Sequence, residues 1–397
     1  MPYDGAVVIA GAGPAGIATA LSAARSGCRV LLLEKRQPVG GTVTGSLIHT
    51  LGGFYDDAGN ALNQGLSVEL CHRLLEADKQ VTKRKIGRTW CLAADPALFG
   101  QVLSRWINEE SNITLAPSST VVGGTICDNA PGSLDILLRG ELVTVHPAAA
   151  VDATGNAELV QLLSPDSVLQ DERRAFAGLI FRLRCCEPGA LTFPKGVELL
   201  RAIRQAVTDG ELSPIAGSAW LDRGLSEDEI FVKLSLPPEN SGEALDPGCL
   251  TDAALQARDS LLVFLMRYSA FRRAICVETG LTGIRDGGRI RGNVCLSESD
   301  LLSCRKYPDA ACEGSWPLEY WDQEQGVSLR HLPAGGHYDI PLGCLQVAGV
   351  DRLWAAGKCL SATPQARASA RVVGCCWAMG DAVGKSVANC VKQGGYI

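Results

Sequence analysis

The strongest constraint on the fold lies in the first thirty-five residues. Ala6-Val7-Val8-Ile9-Ala10 is an unbroken apolar run that reads as a strand buried on both faces. Gly11-Ala12-Gly13-Pro14-Ala15-Gly16 follows at once, and small residues continue in a helical pattern to Ser26-Gly27, where Gly27 suits a C-terminal cap. Arg29-Val30-Leu31-Leu32-Leu33-Glu34 then reads as a second strand ending in an acid. A lone Gly-x-Gly-x-x-Gly says little, because glycine-rich turns are common. Here it opens a helix directly after a strand, and Glu34 comes 23 residues after Gly11, the spacing of a ribose-binding acid. Each position has a physical reason. Gly11 permits the tight turn, Gly13 lets the backbone approach a pyrophosphate, Gly16 allows close helix–strand contact, and the helix N-terminus offers its unpaired N–H groups to the anion. The expected fold class is α/β, with a Rossmann-like dinucleotide-binding domain.

The loop Pro38-Val39-Gly40-Gly41-Thr42-Val43-Thr44-Gly45 bears on whether the resident nucleotide is NAD or FAD. It reads either as a second glycine loop along the far side of a long dinucleotide or as a surface turn. Further on, a helix is expected over Asp95–Asn108, with short strands at Ile113–Leu115 and Thr120–Val122, the latter broken by Gly123-Gly124. A hairpin through Arg139-Gly140 and an apolar strand Ala148–Ala153 come next. The middle of the chain changes character: polar helices such as Asp252–Tyr268 alternate with connections at Pro237-Pro238 and Asp246-Pro247-Gly248. Asp351–Gly357 returns to strand plus glycine, and Arg371–Val391 suits one final helix. The absence of a second Gly-x-Gly-x-x-Gly argues against a separate NAD(P)H domain. The expected organisation is 1–160 and 336–397 as two parts of one nucleotide-binding domain, enclosing an α+β substrate domain at 161–335.

Charge and cysteine content narrow the function classes. A net charge of −6 gives no global attraction for nucleic acid or anionic membrane, and the longest apolar stretch, Ala6–Ala23, is interrupted by four glycine and proline residues, so no membrane span is expected. The N-terminus lacks the basic region of a secretory signal. Sixteen cysteines are scattered without a single Cys-x-x-Cys, which disfavours zinc ribbons and iron–sulfur clusters; they read as reduced, buried thiols of a cytoplasmic protein with no metal site.

The order Gly11–Gly16, Glu34, Gly40–Gly45, Val151-Asp-Ala-Thr-Gly155, Leu353-Trp-Ala-Ala-Gly357 and Arg371…Met379-Gly380-Asp381-Ala382 resembles FAD-dependent oxidoreductases of the glutathione-reductase-like superfamily. Within that group it is most similar to the family that includes the flavin domain of heterodisulfide reductase. The resemblance implies non-covalently bound FAD, with Gly11, Gly13, Pro14, Ala15 and Gly16 at the pyrophosphate and Glu34 and Lys35 at the adenosine ribose. Gly41, Thr42 and Gly45 would run beside the ribityl chain and ring, and Val121 would present backbone to adenine. Gly155 and Gly357 would close over the dinucleotide, with Asp381 or backbone N–H groups near it on the ribityl or pyrimidine side, and the helix beginning near Val372, which carries Gly374, would aim its N-terminus at the pyrimidine. The chain departs from the pattern at Lys358, where wider relatives carry an acid, and in lacking the cluster cysteines of the heterodisulfide reductase relatives.

Flavin supplies redox chemistry, and the protein supplies position, charge and a proton acceptor. His331 and His337 flank Pro333–Gly336 and are the candidate proton acceptors or, alternatively, structural loop histidines. Arg285, Arg289 and Arg291 form a basic cluster suited to a substrate carboxylate or phosphate, or to pairing with acids such as Asp286. Arg371 resembles a carboxylate-binding position of succinate-dehydrogenase-like relatives. His49 is a weaker candidate for covalent flavin attachment, and Cys375-Cys376 reads as a redox dithiol or as plain packing. The expected function is hydride transfer between FAD and a small organic substrate, with a carboxylate as its recognised group. An FAD monooxygenase, or a flavoprotein acting on a peptide or protein, is the alternative. Against the monooxygenase, Asp152–Gly155 is not followed by the Ser and Arg of aromatic hydroxylases.

Overall fold

The computed structural model describes residues 3–171, 175–237, 252–322 and 326–394. Its centre is a five-stranded, wholly parallel sheet in the spatial order Leu353–Ala355, Ala149–Asp152, Val7–Ala10, Val30–Glu34, Ile113–Pro117. One face packs on helices and the other mainly on the antiparallel strands of 119–145, so the parallel strands are covered on both sides, which is why Val7–Ala10 and Ala149–Asp152 are buried at every position. The register aligns Ala10 with Leu33 and with Asp152, and Asp152 with Ala355. The segments after these strands, Gly11–Gly16, Ala153–Gly155 and Ala356–Gly357, therefore leave the sheet along one edge, its carboxyl end, where open α/β sheets bind ligands.

Two helices cross behind that edge. The first, Pro14–Arg25, and the last, Val373–Gln393, pack so closely that a Cβ at Gly380 would lie 2.2 Å from the Ala15 carbonyl oxygen. Ser22 seals the contact by donating its hydroxyl to the Asp381 carboxylate (2.8 Å) and carbonyl (2.9 Å). Trp106 and Trp377 meet below with 5.6 Å between ring centroids, in the core that also holds Ile17, Leu21 and Phe99. The helix Pro96–Glu109 starts where Asp95 accepts from the Ala97 and Leu98 N–H groups, as the sequence suggests for an acid before proline.

A second core belongs to residues 177–274. An antiparallel sheet ordered Trp220–Arg223, Ile230–Leu236, Ala177–Arg184, Ile275–Thr279 packs its apolar side against the helices Lys195–Thr208 and Asp252–Leu265. Of the span 161–335, Leu296, Leu301, Cys312, Leu318 and Leu332 instead join the core of the parallel sheet. The connections at Pro238 and at Asp246-Pro247-Gly248 lie outside the described residues.

Three local expectations meet different outcomes. The glycines at 123–124 do not break their strand: Ser119–Cys127 runs through them, with the register shift between Val121 and Gly123 absorbing the irregularity. Arg139 and Gly140, both at positive φ (52° and 94°), form the expected tight hairpin turn. The final helix starts at Val373 rather than at Arg371, because Val372 is extended (φ −68°, ψ 156°) and separates it from a short helix, Pro364–Ala370. Arg371 thus lies in the junction.

Candidate functional site

The carboxyl edge of the parallel sheet gathers most of the glycines expected to hold a dinucleotide. Gly11, at φ 102°, is required by crowding, since a Cβ there would lie 2.6 Å from the Ala153 carbonyl oxygen, and a Cβ at Gly16 would lie 1.9 Å from the Gly11 oxygen. Gly13 differs: it begins the first helix, and a Cβ on it would meet nothing nearer than the Gly41 Cα at 3.8 Å. Gly40 donates its N–H to the Ala12 carbonyl (2.9 Å), which folds the 40–45 loop against Gly13 and leaves Gly41 and Thr42 exposed on the rim. Gly155 has only the Lys358 Cε at 3.5 Å beyond it, while Gly357 abuts Ala15 and Cys376. The first turn carries Ala15 against Gly357 and Pro14 beside Gly41. A Cβ at Gly13 or Gly155 would thus make only ordinary contacts, so the turn is uncrowded where a pyrophosphate would approach the N–H groups of the helix start.

Glu34 ends its strand at the same edge. One carboxylate oxygen accepts from the Ala12 N–H and the other from the Arg36 N–H, both at 2.8 Å, while burial raises its pKa. It braces the glycine turn and keeps lone pairs for a ribose. Lys35 is exposed beside it. Gly45 uses its carbonyl to accept from the Leu281 N–H (2.7 Å), tying this loop to the strand leaving the four-stranded sheet. Val121 is buried in the hairpin ladder opposite Ile136, immediately before the bulge.

The final helix enters with no side-chain cap on its first N–H groups, and Gly374 permits its approach: a Cβ there would lie 2.3 Å from the Gly53 carbonyl carbon. Its uncapped positive end faces the junction that carries Arg371. Around that end stand cations from three segments. Lys358 donates to Asn156 Oδ1 (3.0 Å) and the Ile284 carbonyl (2.9 Å), with the Asp286 carbonyl at 3.4 Å; burial pushes its pKa down to about 8, with Arg367 and Arg371 adding to the effect. Arg285 donates to the Phe176 carbonyl (2.6 Å), and burial followed by the charge of Arg371 pushes it down to about 9. Arg367, fully buried, bonds the Gly287 carbonyl, Asp286 Oδ1 and Asp171 Oδ2, each at 2.9 Å.

Several sequence expectations are corrected here. Asp381 faces away from the cleft: it bonds Ser22 and Lys385 and sits about 12 Å along the helix from Val373. Arg289 is not a free fork for substrate, since it pairs with Asp171 at 2.7 Å. His337 places Nε2 3.1 Å from Glu313, which also holds Lys306, and His331 lines a small surface cavity with Tyr55, Arg88 and Trp316, its pKa lowered by burial and by Arg88. Neither histidine joins the glycine loops. His49 is stacked on Phe231 of the second core at 3.8 Å, and both its ring nitrogens lack hydrogen bonds. Burial pushes the Cys375 and Cys376 thiols up, which fits the packing reading of this pair. The sequence reading missed Arg367 altogether. Its signal lies in the spacing: Arg367 and Arg371 stand four residues apart in an otherwise small-residue stretch.

These residues suit FAD: backbone donors at an open glycine turn, an acid at the strand end, and an uncapped helix N-terminus. A family model for FAD-dependent oxidoreductases matches residues 6–396. The chain belongs to that family.

Among solved structures, this FAD-dependent oxidoreductase is similar to a geranylgeranyl bacteriochlorophyll reductase-like protein from Thermoplasma acidophilum, at 13% identity and TM-score 0.51, over 98% of this chain and 79% of that one. It is also similar to the flavin-dependent brominase Bmp2 (12% identity, TM-score 0.54, 97% and 79% coverage) and to the flavin-dependent halogenase CmlS (12%, 0.51, 98% and 59%). At such identities the likeness is one of fold. No curated protein matches the sequence. No helix among the described residues is long and apolar enough to cross a membrane.

Proposed function

We propose that this FAD-dependent oxidoreductase binds FAD non-covalently along the carboxyl edge of its parallel sheet and uses it to move a hydride to or from a small organic substrate. The observation that carries this reading is that the Gly11–Gly16 turn, uncrowded at Gly13, the Glu34 strand end and an uncapped helix N-terminus lie at the carboxyl end of one parallel sheet. Gly11, Gly13 and Gly16 with Pro14 and Ala15 would take the pyrophosphate, Glu34 and Lys35 the ribose, Val121 the adenine, and Gly41, Thr42, Gly45, Gly155, Gly357 and Gly374 the remaining length. When bound, FAD accepts or returns a hydride at its ring.

The chain's own contribution is electrostatic and positional. The positive end of the final helix and the Lys358 ammonium favour electron density gathered in the cleft. Lys358 has acceptors for all three of its protons, which makes it a fixed charge and a tie between the 155–156 turn and the 284–286 loop rather than a proton acceptor. Glycine loops arranged along one sheet edge support the glutathione-reductase-like subtype, with 1–160 and 336–397 forming the flavin part and the second core lying in the substrate part. A cytoplasmic location fits the free, mostly buried cysteines among the described residues.

Anaerobic mixing with candidate substrates tests the reaction class. Bleaching of the flavin bands by substrate alone is expected. Bleaching that occurs only with NAD(P)H would overturn hydride exchange with the organic substrate in favour of a monooxygenase.

A further inference from the structure

The exposed apolar side chains of the second unit gather in one short stretch. Val263, Met266 and Tyr268 are exposed, and Ile275 and Val277 stand 52% and 49% open to solvent. The stretch runs from the end of the helix Asp252–Leu265 into the strand Ile275–Thr279, which lies at the margin of the four-stranded sheet and pairs there with Ala177–Arg184 alone. The helix lies over this strand: Arg258 donates to the Thr279 hydroxyl at 2.9 Å, and Leu262 and Cys276 pack against the same core.

A free strand edge holds out backbone N–H and C=O groups that pair readily with another strand, and natural proteins blunt such edges with lysine, proline or a cover. Two edges of this chain differ in that respect. Thr82–Ile86, at the margin of the three-stranded sheet, carries Lys83, Arg84 and Lys85, whereas Ile275-Cys276-Val277-Glu278-Thr279 has neither lysine nor proline. The bulge that leaves Val277 without a partner on Ala177–Arg184 limits new ladder bonds to a few, so side chains must carry most of any contact.

Charge points to the occupant. Before the strand, Arg273 lines a surface cavity with Glu187 and Asp228, while the exposed Arg272 makes no ion pair among the described residues. Near the strand's end Glu278 is exposed, held only loosely by Arg182 at 3.6 Å. A strand with a cation before it and an acid near its end is complementary to itself when run antiparallel. Two copies related by a two-fold axis set Arg272 of each toward Glu278 of the other and cover Ile275 and Val277 in both.

We propose that the Ile275–Thr279 edge is a self-association surface, where two copies of this chain pair their strands antiparallel and join their four-stranded sheets edge to edge. Such a contact closes at two copies. It needs no flavin, so it stands or falls apart from the FAD reading.

Sedimentation velocity of the purified full chain from about 1 to 100 µM reads the assembly state. A monomer–dimer equilibrium is expected within this range. Val277→Lys, at an exposed position, should weaken the dimer at least ~10-fold and leave the thermal midpoint of dilute protein unchanged. Arg272→Glu and Glu278→Arg should each weaken it too, because each brings like charges together at both ends of the contact. An equimolar mixture of these two variants should dimerise as wild type does, since every such contact is then between opposite charges. Monomer at every concentration overturns the proposal and leaves the edge to a partner of different sequence. Growth beyond the dimer overturns it as well, as does a Val277→Lys dimer of wild-type strength or a mixture no stronger than its components.

Discussion

In the seam between the first and last helices a Cβ on Gly380 would lie 2.2 Å from the Ala15 carbonyl oxygen, whereas at the mouth of the same sheet a Cβ on Gly13 would meet nothing nearer than the Gly41 Cα at 3.8 Å. Both regions are rich in glycine and share the first helix, yet the residue acts oppositely in each. In the seam the missing side chain lets two backbones touch; at the mouth a Cβ would make only ordinary contact, so its absence is not needed for packing. Glycine packed against backbone serves the fold, and glycine where packing does not demand it is free to serve a ligand. Charge divides in a similar way. The contact with the second core keeps His49 neutral and stacked, while the mouth keeps Arg371 without a partner among the described residues.

The largest effect is expected in the seam. Gly380→Val forces its side chain into backbone that cannot yield, and a loss of at least about 3 kcal/mol is expected in urea unfolding, with little soluble protein recovered. A variant as stable as wild type would show that the helices can separate without cost. Gly13→Val, in contrast, should fold with an apoprotein thermal midpoint near that of wild type and lose FAD, at least ~10-fold in affinity. Wild-type FAD content in this variant would remove the pyrophosphate from Gly13.

The smallest effect concerns pH. Burial first, then the charge of Lys233, pushes His49 down to about 3 from its ordinary 6.5. Above 6.5 both the folded and unfolded chains carry it neutral. Between 6.5 and 3 only the unfolded chain takes up the proton, so this residue removes stability as pH falls, by up to about 1.4 kcal/mol per pH unit. His49→Phe keeps a ring against Phe231 and removes two unsatisfied nitrogens, so its urea midpoint should decline less steeply from pH 7 to pH 4 than that of wild type. Identical slopes would contradict a buried neutral histidine.

The parallel sheet and its glycine edge are legible in the sequence because they are local: Val7–Gly16 carries strand, turn and helix start in ten consecutive residues, and Glu34 follows at a fixed distance set by the helix between them. Asp381 is not legible in this way. Its partner Ser22 lies 359 residues earlier, and only the packing of two helices shows that the carboxylate faces the seam. The pairing of Arg289 and Arg367 with Asp171 is long-range in the same sense, so sequence proximity to Asp286 suggests only part of the network. A histidine stands out in a sequence by its ordinary pKa, which says nothing about where His331 and His337 lie. Gly123 looks like a strand end because a bulge and a terminus leave the same composition.

Flavin content of the purified full chain, measured by absorbance and by quantifying the nucleotide that acid releases, tests the FAD site most directly. A yellow protein with flavin bands at about 370 and 450 nm that releases free FAD, one per chain, is the expected result. A colourless protein that takes up no FAD on reconstitution would contradict it.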